Sequence, residues 1–197
     1  MTNQLAGHLI VDCLLAKGVT HAFGVPGESY LAVLDGLYAR REQIQFITCR
    51  QEGGAAFMAE AHAKLTCRPG VCFVTRGPGA SNASIGQPAA FQNSTPLILL
   101  IGQVPRRNIE REAFQEIDYR RMFGQTTKWV AQIDDPARIP EFINQAFQTA
   151  MSGRPGPVVL ALPEDMLREE TEVALLPKAK VVQAHPGAAD LDQLRSM

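Results

Sequence analysis

Glu52 is the carboxylate in this chain best placed for acid–base chemistry. It lies in the run Arg50-Gln51-Glu52-Gly53-Gly54, between a segment with an apolar centre and an alanine-rich one. The pattern predicts a strand over 45–49 and a helix over 53–65, so Glu52 falls at the helix's first turn, where free N–H groups and the helix dipole accommodate a negative charge. Two readings fit the residues alone: a positioned proton-transfer group, or a plain first-turn charge contributing about 0.3–1 kcal/mol. Three further Gly/Pro clusters follow apolar runs: Gly24-Val25-Pro26-Gly27, Thr75-Arg76-Gly77-Pro78-Gly79-Ala80-Ser81-Asn82 and Gly102-Gln103-Val104-Pro105. Such clusters serve either as ordinary turns or as places where a ligand meets backbone closely. Gly77-Pro78-Gly79 is a weak nucleotide motif, because it lacks the Lys followed by Ser or Thr of a P-loop and Asn82 stands where G-x-G-x-x-G needs its last glycine.

The elements that must position these groups alternate. The periodicity predicts a helix from Leu5 capped by Thr2 or Asn3 and stopped at Gly18, a strand over 21–25, and a helix over 29–39 with Leu31, Leu34 and Tyr38 inward. Beyond the second strand and its alanine-rich helix come a strand over 71–75, a helix over 80–91 and a strand over 96–102. Pro88 should kink or shorten the helix it sits in. Residues 103–125 break the rhythm, as a charged segment read either as a lid over a site or as a solvated or subunit-contacting stretch. A strand over 128–132, a helix begun by Asp135 and Pro136 and running to about Met151, and a strand over 157–162 complete the pattern, and no further element is predicted beyond Pro163. Uninterrupted apolar runs such as Leu97-Ile98-Leu99-Leu100-Ile101 leave no face for water, the mark of parallel strands covered on both sides. The expected fold class is therefore α/β: a three-layer α/β/α domain around a doubly wound, six-stranded parallel sheet, over residues 1–177. Residues 178–197, with Pro186, Gly187 and mixed charges, read as a linker.

Composition excludes several classes of partner. Among 197 residues, 19 Lys and Arg oppose 20 Asp and Glu, a formal net charge of −1, so no basic excess exists to neutralise a phosphate backbone and nucleic acid is not expected as a partner. The longest apolar runs are far below the roughly 20 residues of a membrane-spanning helix, so no membrane association is expected. The first residues carry neither a basic-apolar leader nor an Arg-rich transit pattern, and the expected location is cytoplasmic. Cys13, Cys49, Cys67 and Cys72 lack the close pairing of structural zinc sites and are expected to be reduced core thiols. No metal ligand set is predicted.

The clusters above, together with Ala113-Phe114-Gln115-Glu116 and Gly153-Arg154-Pro155-Gly156-Pro157-Val158, occur in the order that resembles the N-terminus of acetolactate synthase-like thiamine diphosphate enzymes. The resemblance covers roughly residues 5–165. It implies a pyrimidine-binding domain in which Glu52 matches the glutamate that hydrogen-bonds N1′ of the cofactor's aminopyrimidine and so promotes proton removal from the thiazolium C2. By the same resemblance Val25, Pro26 and Gly27 line the cofactor edge, Thr75, Gly77 and Asn82 form another part of that wall, and Phe114 and Gln115 lie near the substrate. Glu28 and Ser29 stand where acetolactate synthases commonly have Gly and Ala, and Gln51 where many relatives have His. Glu28 would thus alter charge and volume on the substrate side. The family's Gly-Asp-Gly…Asn motif, which binds Mg²⁺ and the diphosphate, does not occur in this sequence; the only Asp-Gly pair, Asp35-Gly36, falls in a predicted helix.

The resemblance therefore implies the pyrimidine half of a thiamine diphosphate site. Mg²⁺ belongs to the complete enzyme, not to this chain, and a flavin (FAD) remains open because its contacts come largely from the family's middle domain. The expected function is 2-oxoacid decarboxylation or carboligation, with no activity from this chain alone. The expected partners are a small-molecule 2-oxoacid and the diphosphate-binding domain of another subunit, in a homodimer or homotetramer. The alternatives are a separate pyrimidine-domain subunit of a split 2-oxoacid decarboxylase, and a non-catalytic α/β module that binds a nucleotide or a partner. A glyoxylate carboligase fits less well, since that type has an aliphatic residue at the position of Glu52.

Overall fold

The computed structural model describes residues 3–173. In chain order the elements are β1 (Gln4–Leu5), α1 (Ala6–Ala16), β2 (His21–Gly24), α2 (Leu31–Ala39), β3 (Gln45–Thr48), α3 (Glu52–Thr66), β4 (Gly70–Val74), α4 (Gly77–Ala83), α5 (Gly86–Gln92), β5 (Leu97–Gln103), α6 (Tyr119–Phe123), β6 (Trp129–Gln132), α7 (Ile139–Met151), β7 (Pro157–Pro163), α8 (Glu164–Leu167) and β8 (Glu170–Thr171). Six strands form one sheet in the order β3-β2-β4-β5-β7-β6, with every neighbouring pair parallel. The expected six-stranded parallel α/β fold is the observed one. No described helix is long and apolar enough to cross a membrane.

The sheet is covered on both faces, and alternate residues of one strand serve different layers. From β5, Ile98 and Leu100 join α1, α2 and α7, while Leu97, Leu99 and Ile101 join α3, α4, α5 and α6. All seven residues of β5 and all seven of β7 are buried, and each fully buried Leu, Ile or Val stabilises the fold by about 1.5–3 kcal/mol. The two layers use different chemistry. On the first, Ile139, Ile143, Ala146 and Ala150 make the apolar stripe of α7, whose lead-in turn Asp135 caps by accepting from Ala137 N at 2.9 Å. On the second, α3 presents Ala55, Ala56 and Ala59, side chains small enough to bring the helix backbone close to the sheet.

Several local expectations need correction. Leu5 occupies the N-cap of α1 with extended backbone, because residues 4–5 pair antiparallel with Glu170 and Thr171 of β8. Gly18, at φ 78°, follows that helix as expected. A short 3-10 turn, Glu28–Tyr30, precedes α2 and resets its phase. Tyr30, Val33 and Leu37 therefore face inward, whereas Leu31 and Tyr38 are 53% and 68% exposed. The helix expected over 80–91 is two helices, α4 starting already at Gly77 and α5 at Gly86. Pro88 is the third residue of α5, in the turn whose N–H groups have no intrahelical acceptor to lose. Beyond Pro163 the chain forms α8 and β8, where none was expected. The linker assigned to residues 178–197 lies outside the described residues.

The irregular segment after β5 is tied down at its start. Arg106 donates to Asp165 from both its backbone N and its Nε, each at 2.9 Å, and pairs with Glu169. Partial burial would raise the Asp165 carboxyl, but the Arg106 hydrogen bonds and charge outweigh it and hold the group below the usual carboxylate range. A depressed folded-state value contributes stability that is complete above the unfolded value, about pH 4, and is lost as pH falls through the folded one. We expect the gap in urea midpoint between wild type and Asp165→Asn to shrink between about pH 6 and about pH 3; a gap that stays constant with pH would count against this account.

The cysteines divide by burial rather than sharing one environment. Burial pushes the Cys13 thiol up to about 12, with Asp12 adding and Lys17 opposing. Burial likewise pushes Cys72 well up. Cys67, expected in the core, is instead exposed at the C-cap of α3 with a left-handed φ of 55°. Native protein should therefore give fast reaction with a thiol reagent at Cys67, slower reaction at half-buried Cys49, and reaction at Cys13 and Cys72 only on unfolding. Peptide mapping of the labelled protein checks the order.

Candidate functional site

A parallel sheet brings the carboxyl ends of its strands to one rim, and the four Gly/Pro clusters follow β2, β3, β4 and β5 there. Side chains of the first 3-10 turn join three of these loops. Ser29, fully buried, places its Oγ 2.9 Å from Thr75 Oγ1. A Cβ on Gly102 would collide with that same Ser29 hydroxyl, and one on Gly27 would lie 2.5 Å from Thr75 Cβ. Glycine at both positions is thus a requirement of close approach. Tyr30, stacked on Phe73 with centroids 5.9 Å apart, donates its hydroxyl to the Val25 carbonyl. Burial pushes the Tyr30 phenol far up, so it remains a neutral donor. Val25, Gly27 and Thr75 are accordingly held together.

Glu52 is the first residue of α3 and is half-buried. Its neighbour Gln51 caps the helix, accepting from Gly54 N at 2.8 Å. Asn82 Nδ2, on α4, donates to Glu52 Oε2 at 2.9 Å. Among the described residues no donor meets the other oxygen, Oε1, beside which Gly79 leaves room: a Cβ there would stand 3.5 Å away. Gly79 also packs on Thr75, since the same Cβ would meet Thr75 Cγ2 at 2.9 Å. One carboxylate oxygen is thus fixed by Asn82, while the other lies beside Gly79 with no donor among the described residues. A single ring N–H donor matches that arrangement.

The segment after β5 reaches this rim through its backbone. The Gln115 carbonyl accepts from Gly77 N at 2.9 Å, with Gln115 in the left-handed region at φ 68°. Glu116 braces the turn by accepting from Glu110 N at 2.6 Å and Ala113 N at 3.1 Å. Phe114 is not packed against the rim but stands 77% exposed. A cavity of about 260 Å³ opens between this segment and β6, lined by Gln103, Glu116, Asp118, Tyr119, Gln132 and Asp134 among others. None of the site residues expected from sequence lines it.

Sequence reasoning missed Arg76. Nine-tenths buried at the end of β4, it pairs with Glu164 at the start of α8 and lies 3.5 Å from Glu28 Oε1. Glu164 also pairs with Arg168. The available signal was a lone arginine directly after an apolar strand, since a charge there needs buried partners. Ser29 was noted only as a departure from the family, yet it joins the loops. Among the described residues no group of three His, Cys, Asp or Glu could hold a metal ion.

Comparison with known proteins gives the family. Residues 5–122 match the family described as "Thiamine pyrophosphate enzyme, N-terminal TPP binding domain". An acetolactate synthase catalytic subunit, mitochondrial, of Aspergillus candidus is 41% identical over 83% of this chain and 24% of its own length. An acetolactate synthase of Bacillus subtilis is 37% identical over 96% of this chain and 33% of its own. A probable acetolactate synthase large subunit of Methanocaldococcus jannaschii is 41% identical over 85% and 28%. The chain thus spans about a quarter to a third of the length of these relatives. With residues 5–122 carrying the match and Glu52, Thr75, Gly77 and Asn82 inside it, the chain belongs to the thiamine pyrophosphate enzymes, as their N-terminal TPP-binding domain.

Proposed function

We propose that this chain is the pyrimidine-binding part of a thiamine diphosphate-dependent 2-oxoacid decarboxylase or carboligase of the acetolactate synthase type, with Glu52 as its proton-transfer group. The observation that carries the reading is the asymmetric Glu52 carboxylate, bound by Asn82 at one oxygen and without a donor at the other among the described residues. When bound, thiamine diphosphate supplies the carbon nucleophile and electron sink that 2-oxoacid chemistry needs. Glu52 Oε1 would receive the N–H of ring nitrogen N1′, and Asn82 keeps the carboxylate from rotating away. Val25, Pro26 and Gly27 offer a backbone edge fixed by Tyr30, while Thr75, packed against Gly27, and Gly77 form another part of the wall. Gln115 and Phe114 belong to the substrate side of this reading.

The remainder of the site we assign to protein beyond this chain. Mg²⁺ and the diphosphate would be held by the diphosphate-binding domain of another subunit, and this chain by itself would be inactive. The length of the relatives supports that division. So does the outer face of α3, where Phe57 and Met58 stand 44% and 43% exposed, with Ile85 alongside at 52%. Apolar groups so placed beside a half-built site favour contact with another protein surface.

In the full-length protein, Glu52→Gln should lower kcat by about 10²–10⁴ and slow exchange of the cofactor's C2 proton, followed by NMR, while thiamine diphosphate still binds. Exchange at the wild-type rate would overturn the assignment and favour a non-catalytic module. Asn82→Ala, which frees the carboxylate but leaves it in place, should cost about tenfold in the same exchange rate, as expected for one hydrogen bond to a charged group.

A further inference from the structure

We infer that Glu28, steered by Arg76, is a charge filter at the mouth of the site that disfavours 2-oxoacids bearing a second anionic group and favours those with neutral or hydrogen-bond-donating tails. The inference rests on reading the carboxyl rim as a 2-oxoacid site. Its basis is an unusual sharing of charge. Glu164, with its side chain 18% exposed, is paired by both Arg76 and Arg168. Two guanidinium groups on one carboxylate leave a positive charge over, and Glu28 is the carboxylate that offsets it.

Arg76 and Glu28 differ in what a ligand can reach. The Arg76 side chain is 10% exposed, and its Nε is sealed from solvent without a partner, so an incoming carboxylate has little access to it. Glu28 is 70% exposed, and 3.5 Å separates its Oε1 from Arg76 Nη1. That distance is beyond a good hydrogen bond, so the guanidinium holds the carboxylate by Coulomb attraction and leaves its acceptor positions available.

The backbone beneath Glu28 is fixed even though its side chain is not. Gly27 on one side presses against Thr75, and Ser29 on the other is wedged between Thr75 and Gly102. The backbone that carries the negative head is therefore fixed beside the edge assigned to the cofactor. Every 2-oxoacid brings its reacting carboxylate, and repulsion from that group cancels when two such acids are compared. What Glu28 discriminates is the tail. Arg76 is accordingly a positioning residue, acting through Glu28.

The test uses the full-length protein with thiamine diphosphate and Mg²⁺, and compares 2-oxopentanoate with 2-oxoglutarate by kcat/KM, or by inhibition constant against pyruvate where turnover is too slow. Glu28→Gln should reduce the preference for the neutral acid about tenfold, through relief of like-charge repulsion. Arg76→Lys, which keeps the charge, should retain the preference, and Arg76→Met should lose part of it. A preference unchanged within about twofold in Glu28→Gln would overturn the filter whatever the arginine variants do. C2 proton exchange separates this from failure of the parent reading: slowed by Glu52→Gln, it leaves the cofactor site standing even if the filter falls, whereas unaffected exchange in Glu52→Gln removes the cofactor site itself.

Discussion

The hydroxyls of Ser29 and Thr75 lie 2.9 Å apart in the protein interior, under the bare backbone of Gly102. Three adjoining strands, β2, β4 and β5, end at this point, and each contributes one member of the contact. The bond satisfies two polar groups that burial would otherwise leave costly. It also fixes the loop that carries Val25, Pro26 and Gly27 relative to the loop that leads into α4. Since Asn82 rides on α4 and orients Glu52, the position of the carboxylate on β3's side of the sheet depends on this junction. A larger residue at Gly102 would displace Ser29 first and the loop of Val25, Pro26 and Gly27 with it.

The junction sits at the rim because the sheet has nowhere else to put polar groups. β5 and β7 are apolar and buried along their whole lengths, and helices seal both faces. Polar side chains that must meet a ligand are therefore confined to strand ends, where parallel order gathers them on one side. Arg76 shows the cost of that arrangement. Placed directly after a strand buried throughout, its charge requires Glu164 from one side and Glu28 from the other, and its Nε still has no partner. Breaking the buried pair with Glu164 is the most destabilising single change expected in this part of the rim.

What the sequence made legible follows the same physics. Continuous apolar runs reported a two-sided parallel sheet, and the strand-to-alanine-helix transition located Glu52 correctly at the first turn of α3. The family blocks added Thr75, Gly77 and Asn82, which patterning alone did not single out, and of these Asn82 bonds Glu52. Periodicity failed where an irregular turn changed its phase, as at Glu28–Tyr30, which rotates Leu31 and Tyr38 to the surface. It failed again for short elements. Tyr119 and Phe123 of α6 are core residues, but five helical residues carry too little repeat to stand out in a charged segment. Gln115 gave no local sign of its left-handed backbone, since such conformations are expected of Gly or Asn and here tertiary contact with Gly77 imposes one. Arg76, finally, was invisible as a site residue because its partners come from positions 28 and 164, which only the fold brings together.

The shape of α3 bears on the proposal that this domain supplies half of a site. Its inner face is alanine, which lets it lie close to the sheet and sets Glu52 at the level of the strand ends. The same helix carries Phe57 and Met58 outward, where they stand 44% and 43% exposed. A helix built only to close the core would place polar residues there. Among the described residues, Glu52 has one oxygen without a donor, and part of the outer face of α3 is exposed. In the proposed reading a cofactor ring would meet the first need and protein the second, so a ligand held by a neighbouring domain against this rim would satisfy both at once.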